Sequence, residues 1–228
     1  MSWSELSEWW IEEVSSDPAY ESVVTPLVLQ TLEPVPGRVY LDLGSGEGRI
    51  MRALEQVGAE AIGIEVNSLL AQSSSVTGRT VVDTLPDLAA IADNSVDGAC
   101  CVLVLEHLEQ AAPFFESVAR VVRPGGVLGL VSNHPVWTAP NSTPITDEDG
   151  EVLWRPGDYF SPGSSQVPAG SDHVTFHHRS MATLLNTASE AGWSLSKMTE
   201  LPHHEFEDQS GIPRLLSCQW HLNVNTDV

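Results

Sequence analysis

Two acids and a run of glycines stand at a spacing that suits a small charged ligand. Val39-Tyr40-Leu41-Asp42-Leu43 runs into Gly44-Ser45-Gly46-Glu47-Gly48, and Glu65 follows 21 residues after Gly44, at the end of Ala61-Ile62-Gly63-Ile64. Glycine at alternate positions lets a ligand approach the backbone, because a Cβ would block it. Asp42 lies two residues before the first glycine. A carboxylate there repels a pyrophosphate and suits a ligand that carries positive charge. Glu65, at the carboxyl end of a second strand, can accept both hydroxyls of a ribose; standing alone it would read as a solvated loop acid. Histidine is the second source of chemistry, as the usual agent for removing a proton near neutral pH. Of the eight histidines, His107 and His134 each follow an apolar run, and His177-His178-Arg179 precedes a helical segment.

The elements that must carry these residues are legible from periodicity. Val39 to Leu43 reads as a buried strand, the glycines as a tight turn, and Ile50, Leu54 and Val57 as one face of a helix that stops at Gly58. The opening of that helix supplies free N–H groups and a positive dipole end. The glycines follow G-x-G-x-G rather than the G-x-G-x-x-G of a dinucleotide-binding turn. With L-D-L-G-S-G-E-G from Leu41 to Gly48, the stretch resembles the first motif of class I S-adenosylmethionine-dependent methyltransferases. The resemblance implies a Rossmann-like α/β fold: a seven-stranded, mostly parallel sheet with helices on both faces. It implies S-adenosyl-L-methionine as cofactor, with contacts from Asp42, Gly44, Ser45, Gly46 and Gly48, then from Glu65 and Val66. It extends to Asp83 and Thr84 at the adenine, to Val104 and Leu105, and to Tyr20 as a capping aromatic.

Outside that motif the chain keeps alternating. Trp3, Leu6, Trp10 and Val14 make a helical stripe, and Thr25-Pro26 reads as an N-cap with proline at the first helical position. N-terminal helices of this family often cover the cofactor; Trp9, Trp10 and Tyr20 either do so or pack on the sheet. Asn67 can cap a short helix, Thr80-Val81-Val82 is a third strand, Asn94-Ser95 a turn, and Val96 to Leu103 a fourth strand that resembles the family's D-x-V strand. A helix opens at Pro113, Arg123-Pro124-Gly125-Gly126 reads as a reversal, and Val127 to Ser132 as the fifth strand. From Asn133 to about Val174 no period is sustained, and proline, glycine and serine are dense. Trp137, Trp154, Tyr159 and Phe160 nevertheless suit an ordered lid. Ser180 caps the next helix, Gly192 stops it, and Trp193 to Leu201 and Leu215 to Val224 are the last strands. The expected division is a helical cap over 1–36, a cofactor-binding core over 37–133, an inserted lid and substrate segment over 134–175, and completion of the core over 176–228.

His134 is the first candidate for a general base and His178 the second, with a hydrogen-bonded hinge role as the alternative for both. Glu106-His107 resembles the tail of the E-x-x-E-H metal motif of ubiquinone-pathway O-methyltransferases and small-RNA 2′-O-methyltransferases, but Leu103 stands where the first glutamate would be. That removes a hard oxygen ligand, so no metal is expected, with a cation held by Glu106, His107 and His134 as the alternative. His203-His204-Glu205-Phe206-Glu207-Asp208 reads as a solvated acidic loop. Ten basic against 31 acidic residues give a net charge of −21, which argues against a nucleic-acid substrate. The three cysteines imply no disulfide framework. The N-terminus lacks a signal peptide's pattern and no apolar run approaches a membrane span, so a cytoplasmic protein is expected. The expected activity is methylation of a small molecule by in-line displacement, with a homodimer left open. Two rivals remain: a cofactor-binding module that acts through a partner, and a nicotinamide oxidoreductase.

Overall fold

The computed structural model describes residues 17–74, 79–170, 172–202 and 210–224. The tryptophan stripe from Trp3 to Val14 and the His203–Asp208 cluster lie outside the described residues. In chain order the strands are β1 (Val39–Leu43), β2 (Glu60–Glu65), β3 (Thr80–Val82), β4 (Val96–Val102), β5 (Val122–Asn133), β6 (Thr143–Thr146), β7 (Val152–Arg155), β8 (Gly163–Ala169), β9 (Asp172–His178), β10 (Trp193–Pro202) and β11 (Pro213–Leu222). The α-helices are α1 (Thr25–Leu32), α2 (Arg49–Gln56), α3 (Ser68–Ser73), α4 (Ala112–Val121), α5 (Pro135–Thr138) and α6 (Met181–Glu190).

Seven strands form one sheet in the order β10-β11-β5-β4-β1-β2-β3. The pairs β1–β2, β1–β4, β2–β3 and β4–β5 are parallel, whereas β11 runs antiparallel to both β5 and β10. Strand order reverses at β1, whose neighbours are β2 on one side and β4 on the other. A crevice opens there at the carboxyl ends of the strands. Both faces are covered, so β1 is apolar on both sides apart from Asp42: Leu41 and Leu43 enter one core with Phe114, Phe115, Trp193 and Trp220. Tyr40 enters the other with Val28, Leu32, Met51 and Leu54.

Three local readings change. Thr25 is not an N-cap, because a π-helical turn over Tyr20–Val24 runs straight into α1 and leaves no helix start there; Thr25 Oγ1 is buried without a hydrogen bond. Arg123–Gly126 does not reverse the chain. It bulges within β5, with Val96 paired to Val122 and Gly98 to Val127, and Gly125 takes φ +79°. The segment after β5 is not an aperiodic loop: α5 is followed by two antiparallel hairpins, β6–β7 and β8–β9. In β6, β7 and β8 exposed residues outnumber or equal the rest and the strand signal is weak, whereas β9 is mostly half-buried and carries Val174 and Phe176 in alternation. Asn67 and Ser180 do cap α3 and α6, each through its side-chain oxygen.

Candidate functional site

At the carboxyl end of β1 the chain turns through Gly44, Gly46 and Gly48, with φ of +80°, +54° and +85°. Side chains rarely adopt that conformation. At Gly44 the requirement is also one of space, since a Cβ would stand 2.5 Å from Val104 Cγ2. The glycine therefore admits a neighbouring side chain from the β4 side of the crevice, besides leaving the backbone open.

Two adjoining hollows lie over this turn and share Gly44, Gly46 and Val104. The larger, about 230 Å³, is lined by Glu65, Val66, Asp83, Thr84, Leu85, Leu103 and Leu108 among others. The smaller, about 60 Å³, is bounded by Tyr20, Asp42, Ser45, Glu47, Arg49 and Val102. Most of the residues singled out in the sequence thus converge. Of those named for the cofactor, two do not line either hollow. Leu105 packs into the core and leaves Leu103, Val104, His107 and Leu108 to face the crevice. Gly48 points its missing side chain at Ser74, with Ser74 Oγ 2.8 Å from an added Cβ, and serves as the left-handed start of α2.

Glu65 is held from both sides. Its Oε2 accepts the Gly46 N–H and its Oε1 the Asn67 N–H, each at 2.8 Å. Burial raises its pKa against the pull of those bonds. Asp42 is less well served. Oδ1 meets Cys100 Sγ at 3.7 Å, and Oδ2 is buried with no hydrogen-bond partner. Burial, opposed by the Cys100 contact and reinforced by the Glu65 charge, pushes its pKa up to about 7. An orphaned carboxylate oxygen and an orphaned Ser45 Oγ in the wall of one hollow fit a bound group with positive charge and hydrogen to donate. At the far side Arg49 pairs with Glu47 at 3.2 Å and lies over the Tyr20 ring, 4.9 Å from its centroid. Burial, then Glu106, raises the Tyr20 pKa.

Sequence reasoning gave no site role to Leu85, Leu103 or Leu108, whereas His107, named there among the candidate histidines, does line the larger hollow. Leu103 reaches the hollow because its backbone takes φ +54°, a conformation unusual for leucine. Arg49 also escaped notice, although its place just past the glycine turn was a usable signal.

The two candidate bases stand elsewhere. His134 caps α5: its Nδ1 accepts the Val136 N–H at 3.1 Å, which places the proton on Nε2, donated to Glu200 Oε1 at 2.7 Å. His178 Nε2 donates to the Tyr159 carbonyl at 2.8 Å, and its Nδ1 pairs with Thr138 Oγ1 at 3.1 Å. Burial lowers both pKa values, and neither ring lines the two hollows. His107 does line the larger hollow, with Nδ1 3.1 Å from the Thr175 carbonyl. Among the described residues no group of three or more His, Cys, Asp or Glu side chains is placed to hold a metal ion. No helix among them is long and apolar enough to cross a membrane.

Comparison with known proteins agrees with this geometry. Residues 41–130 match the family model described as a methyltransferase domain. A ubiquinone biosynthesis O-methyltransferase of Paracidovorax citrulli is 32% identical over 137 residues, covering 54% of this chain and 56% of the relative. An uncharacterized methyltransferase of Mycobacterium bovis is 32% identical over 141 residues, covering 58% and 54%. The chain thus spans about half the length of the curated relatives it matches. The crystal structure of an S-adenosylmethionine-dependent methyltransferase from Mesorhizobium loti superposes with a TM-score of 0.78 at 23% identity, over 91% of this chain and 99% of that one. That likeness carries the fold.

Proposed function

We propose that this chain, whose residues 41–130 form a class I S-adenosylmethionine-dependent methyltransferase domain, transfers a methyl group to a hydroxyl of a small molecule. The observation that carries the reading is the joined crevice, with a backbone-anchored carboxylate at one end and an unpartnered buried one at the other. When bound, the cofactor supplies a methyl group on a sulfonium, open to in-line displacement. The chain's own residues bind and orient. Glu65 would accept the ribose hydroxyls, with both oxygens already aimed by backbone N–H groups. Leu85, Leu103 and Leu108 would give the adenine apolar walls, with Asp83 and Thr84 in the same lining to meet its edge. Asp42 would answer the positive charge at the methionine end, and Arg49 beside Tyr20 its carboxylate. Positioning and exclusion of water supply much of the rate of such a displacement.

The hydroxyl acceptor is suggested by relatives whose printed name is ubiquinone biosynthesis O-methyltransferase. A small acceptor also suits a chain with net charge −21, which offers no footprint for nucleic-acid phosphate. We assign residues 134–175 to the acceptor side, as a lid, and 1–36 to the cofactor side. His134 and His178 then hold the lid's base together rather than move protons, since every ring nitrogen of the two already has a partner. The test is calorimetric titration with S-adenosylhomocysteine and with NAD, followed by incubation with S-adenosylmethionine and a panel of phenols. Binding of the first ligand alone, with methylated phenol formed, is the expected result. NAD binding without S-adenosylhomocysteine binding would refute the cofactor. Cofactor binding with no methylation of any small acceptor would refute the activity.

A further inference from the structure

The loop that follows β4 carries four of the residues that line the larger hollow: Leu103, Val104, His107 and Leu108. Its own framework is slight. A single 3₁₀ turn spans Leu105–His107, with the His107 N–H on the Val104 carbonyl and the Leu108 N–H on the Leu105 carbonyl. The loop is held from two sides. Toward β1, Val104 fits against Gly44, where a Cβ would stand 2.5 Å from Val104 Cγ2. On the other side stands the return of the insert. His107 Nδ1 lies 3.1 Å from the Thr175 carbonyl, which can only accept, so that nitrogen carries the proton. The same ring meets Phe176 edge to face, with centroids 5.1 Å apart and planes at 71°. Arg179 follows one residue after β9. Its Nη1 donates to the Leu105 carbonyl at 3.0 Å and to the His177 carbonyl at 3.3 Å, and its Nη2 to the Leu108 carbonyl. Thr175, Phe176 and Arg179 do not themselves line the hollow.

We propose that Arg179 is a positioning residue for the cofactor. By clamping the Leu105 and Leu108 carbonyls to the end of β9, it holds the wall of the hollow and joins cofactor binding to the docking of the insert. The inference rests on the reading of the larger hollow as the cofactor's, and adds a residue outside its lining. Strands β8 and β9 form a sheet of their own, apart from the seven-stranded one. A lone two-stranded hairpin is marginal in water, so its place depends on what it is fastened to. The fastening through His178, to Thr138 and to the Tyr159 carbonyl, stays within the insert and its return. The fastening through His107 and Arg179 reaches the loop that walls the hollow. A ligand that fills the hollow packs against that loop and favours its clamped arrangement. By linkage, the docked hairpin then favours the ligand to the same degree. The clamp needs an arginine for its fork. Two terminal nitrogens reach carbonyls three residues apart at once, whereas a lysine ammonium is a single point.

The experiment is amide hydrogen exchange with and without S-adenosylhomocysteine, alongside calorimetric titration, on wild type and three variants. In wild type the ligand should slow exchange in β8 and β9 by roughly tenfold, although no residue of either strand lines the hollow. Arg179→Met should bind S-adenosylhomocysteine roughly 5- to 50-fold more weakly and lose that slowing. Arg179→Lys should recover part of both. Phe176→Ala, which loosens the second fastening and leaves Arg179 in place, should weaken binding several-fold. The inference is overturned if wild type binds S-adenosylhomocysteine with no change of exchange in the hairpin. It is overturned also if a folded Arg179→Met keeps wild-type affinity and slowing. Where Arg179→Met does not fold, wild-type affinity and slowing in Phe176→Ala overturn it. Failure of wild type to bind S-adenosylhomocysteine would instead remove the cofactor reading, and this inference with it.

Discussion

Replacing Glu65 with glutamine keeps the shape of the side chain and removes one acceptor and the charge. Both Glu65 oxygens receive a backbone N–H at 2.8 Å, one from Gly46 in the glycine turn and one from Asn67 at the cap of α3. Glutamine has a single oxygen, so its amide must face one of those N–H groups donor to donor. An unsatisfied buried N–H costs about 1–3 kcal/mol of stability. Burial already raises the Glu65 pKa, so loss of the buried charge offsets part of that. The net expectation is destabilisation by about 1 kcal/mol. The ligand loses more. Two ribose hydroxyls that donated to a carboxylate would be left with one neutral acceptor at best, which costs on the order of 2–3 kcal/mol. That corresponds to roughly 30- to 150-fold in dissociation constant. The assay is calorimetric titration of S-adenosylhomocysteine into wild type, Glu65→Gln and Glu65→Ala at one pH and ionic strength, with thermal unfolding of each. Glu65→Ala should bind at least as weakly as Glu65→Gln. Wild-type affinity in a folded Glu65→Ala variant would remove Glu65 from the site and refute the reasoning.

Asp42 carries a pH signature. Its folded pKa of about 7 lies above the ordinary value of 3.8, so the native state holds a proton that the unfolded chain releases. Its contribution to stability is present below about pH 4 and is lost as pH rises to about 7, by roughly 4 kcal/mol at most. Asp42→Asn should flatten that part of the denaturation profile measured between pH 5 and 8. It should also abolish any gain in S-adenosylmethionine affinity between pH 6 and 8, because a cationic ligand favours the ionised acid. Gly44→Ala should lower the unfolding free energy by about 1–3 kcal/mol and weaken cofactor binding, from the strained backbone and the contact with Val104. Chemical denaturation with calorimetry checks both effects. His134→Gln and His178→Gln should lower the melting temperature and leave turnover within a few-fold of wild type; a loss of 10²-fold or more in a folded variant would restore histidine as base.

The glycine turn and the two acids that wall the paired hollows were legible in the sequence. Strand, glycine turn and helix are local statements, and L-D-L-G-S-G-E-G followed by Glu65 makes them within 25 residues. Turn conformation and strand burial depend on residue types a few positions apart, so a single chain carries them. An open, mostly parallel sheet followed from the same alternation, but its strand order is seen only in the folded chain. The histidines show where such reasoning stops. His134 looked free at the end of an apolar strand, but its partner Glu200 lies 66 residues away on β10. His178 is closed by Thr138 and Tyr159, 40 and 19 residues away. Glu106 read as a remnant of a metal motif, whereas Asn133, 27 residues on, clamps one oxygen and leaves the other unpartnered. The first hairpin of the insert and the outgoing strand of the second went unseen because they are largely exposed and lack the alternation that burial imposes on a sequence; β9, with Val174 and Phe176, carried a short signal. Residue types near in the chain determine what a segment can form. Which nitrogen or oxygen is left to act depends on hydrogen-bond partners from remote segments, and only the packed tertiary structure brings those within 3 Å.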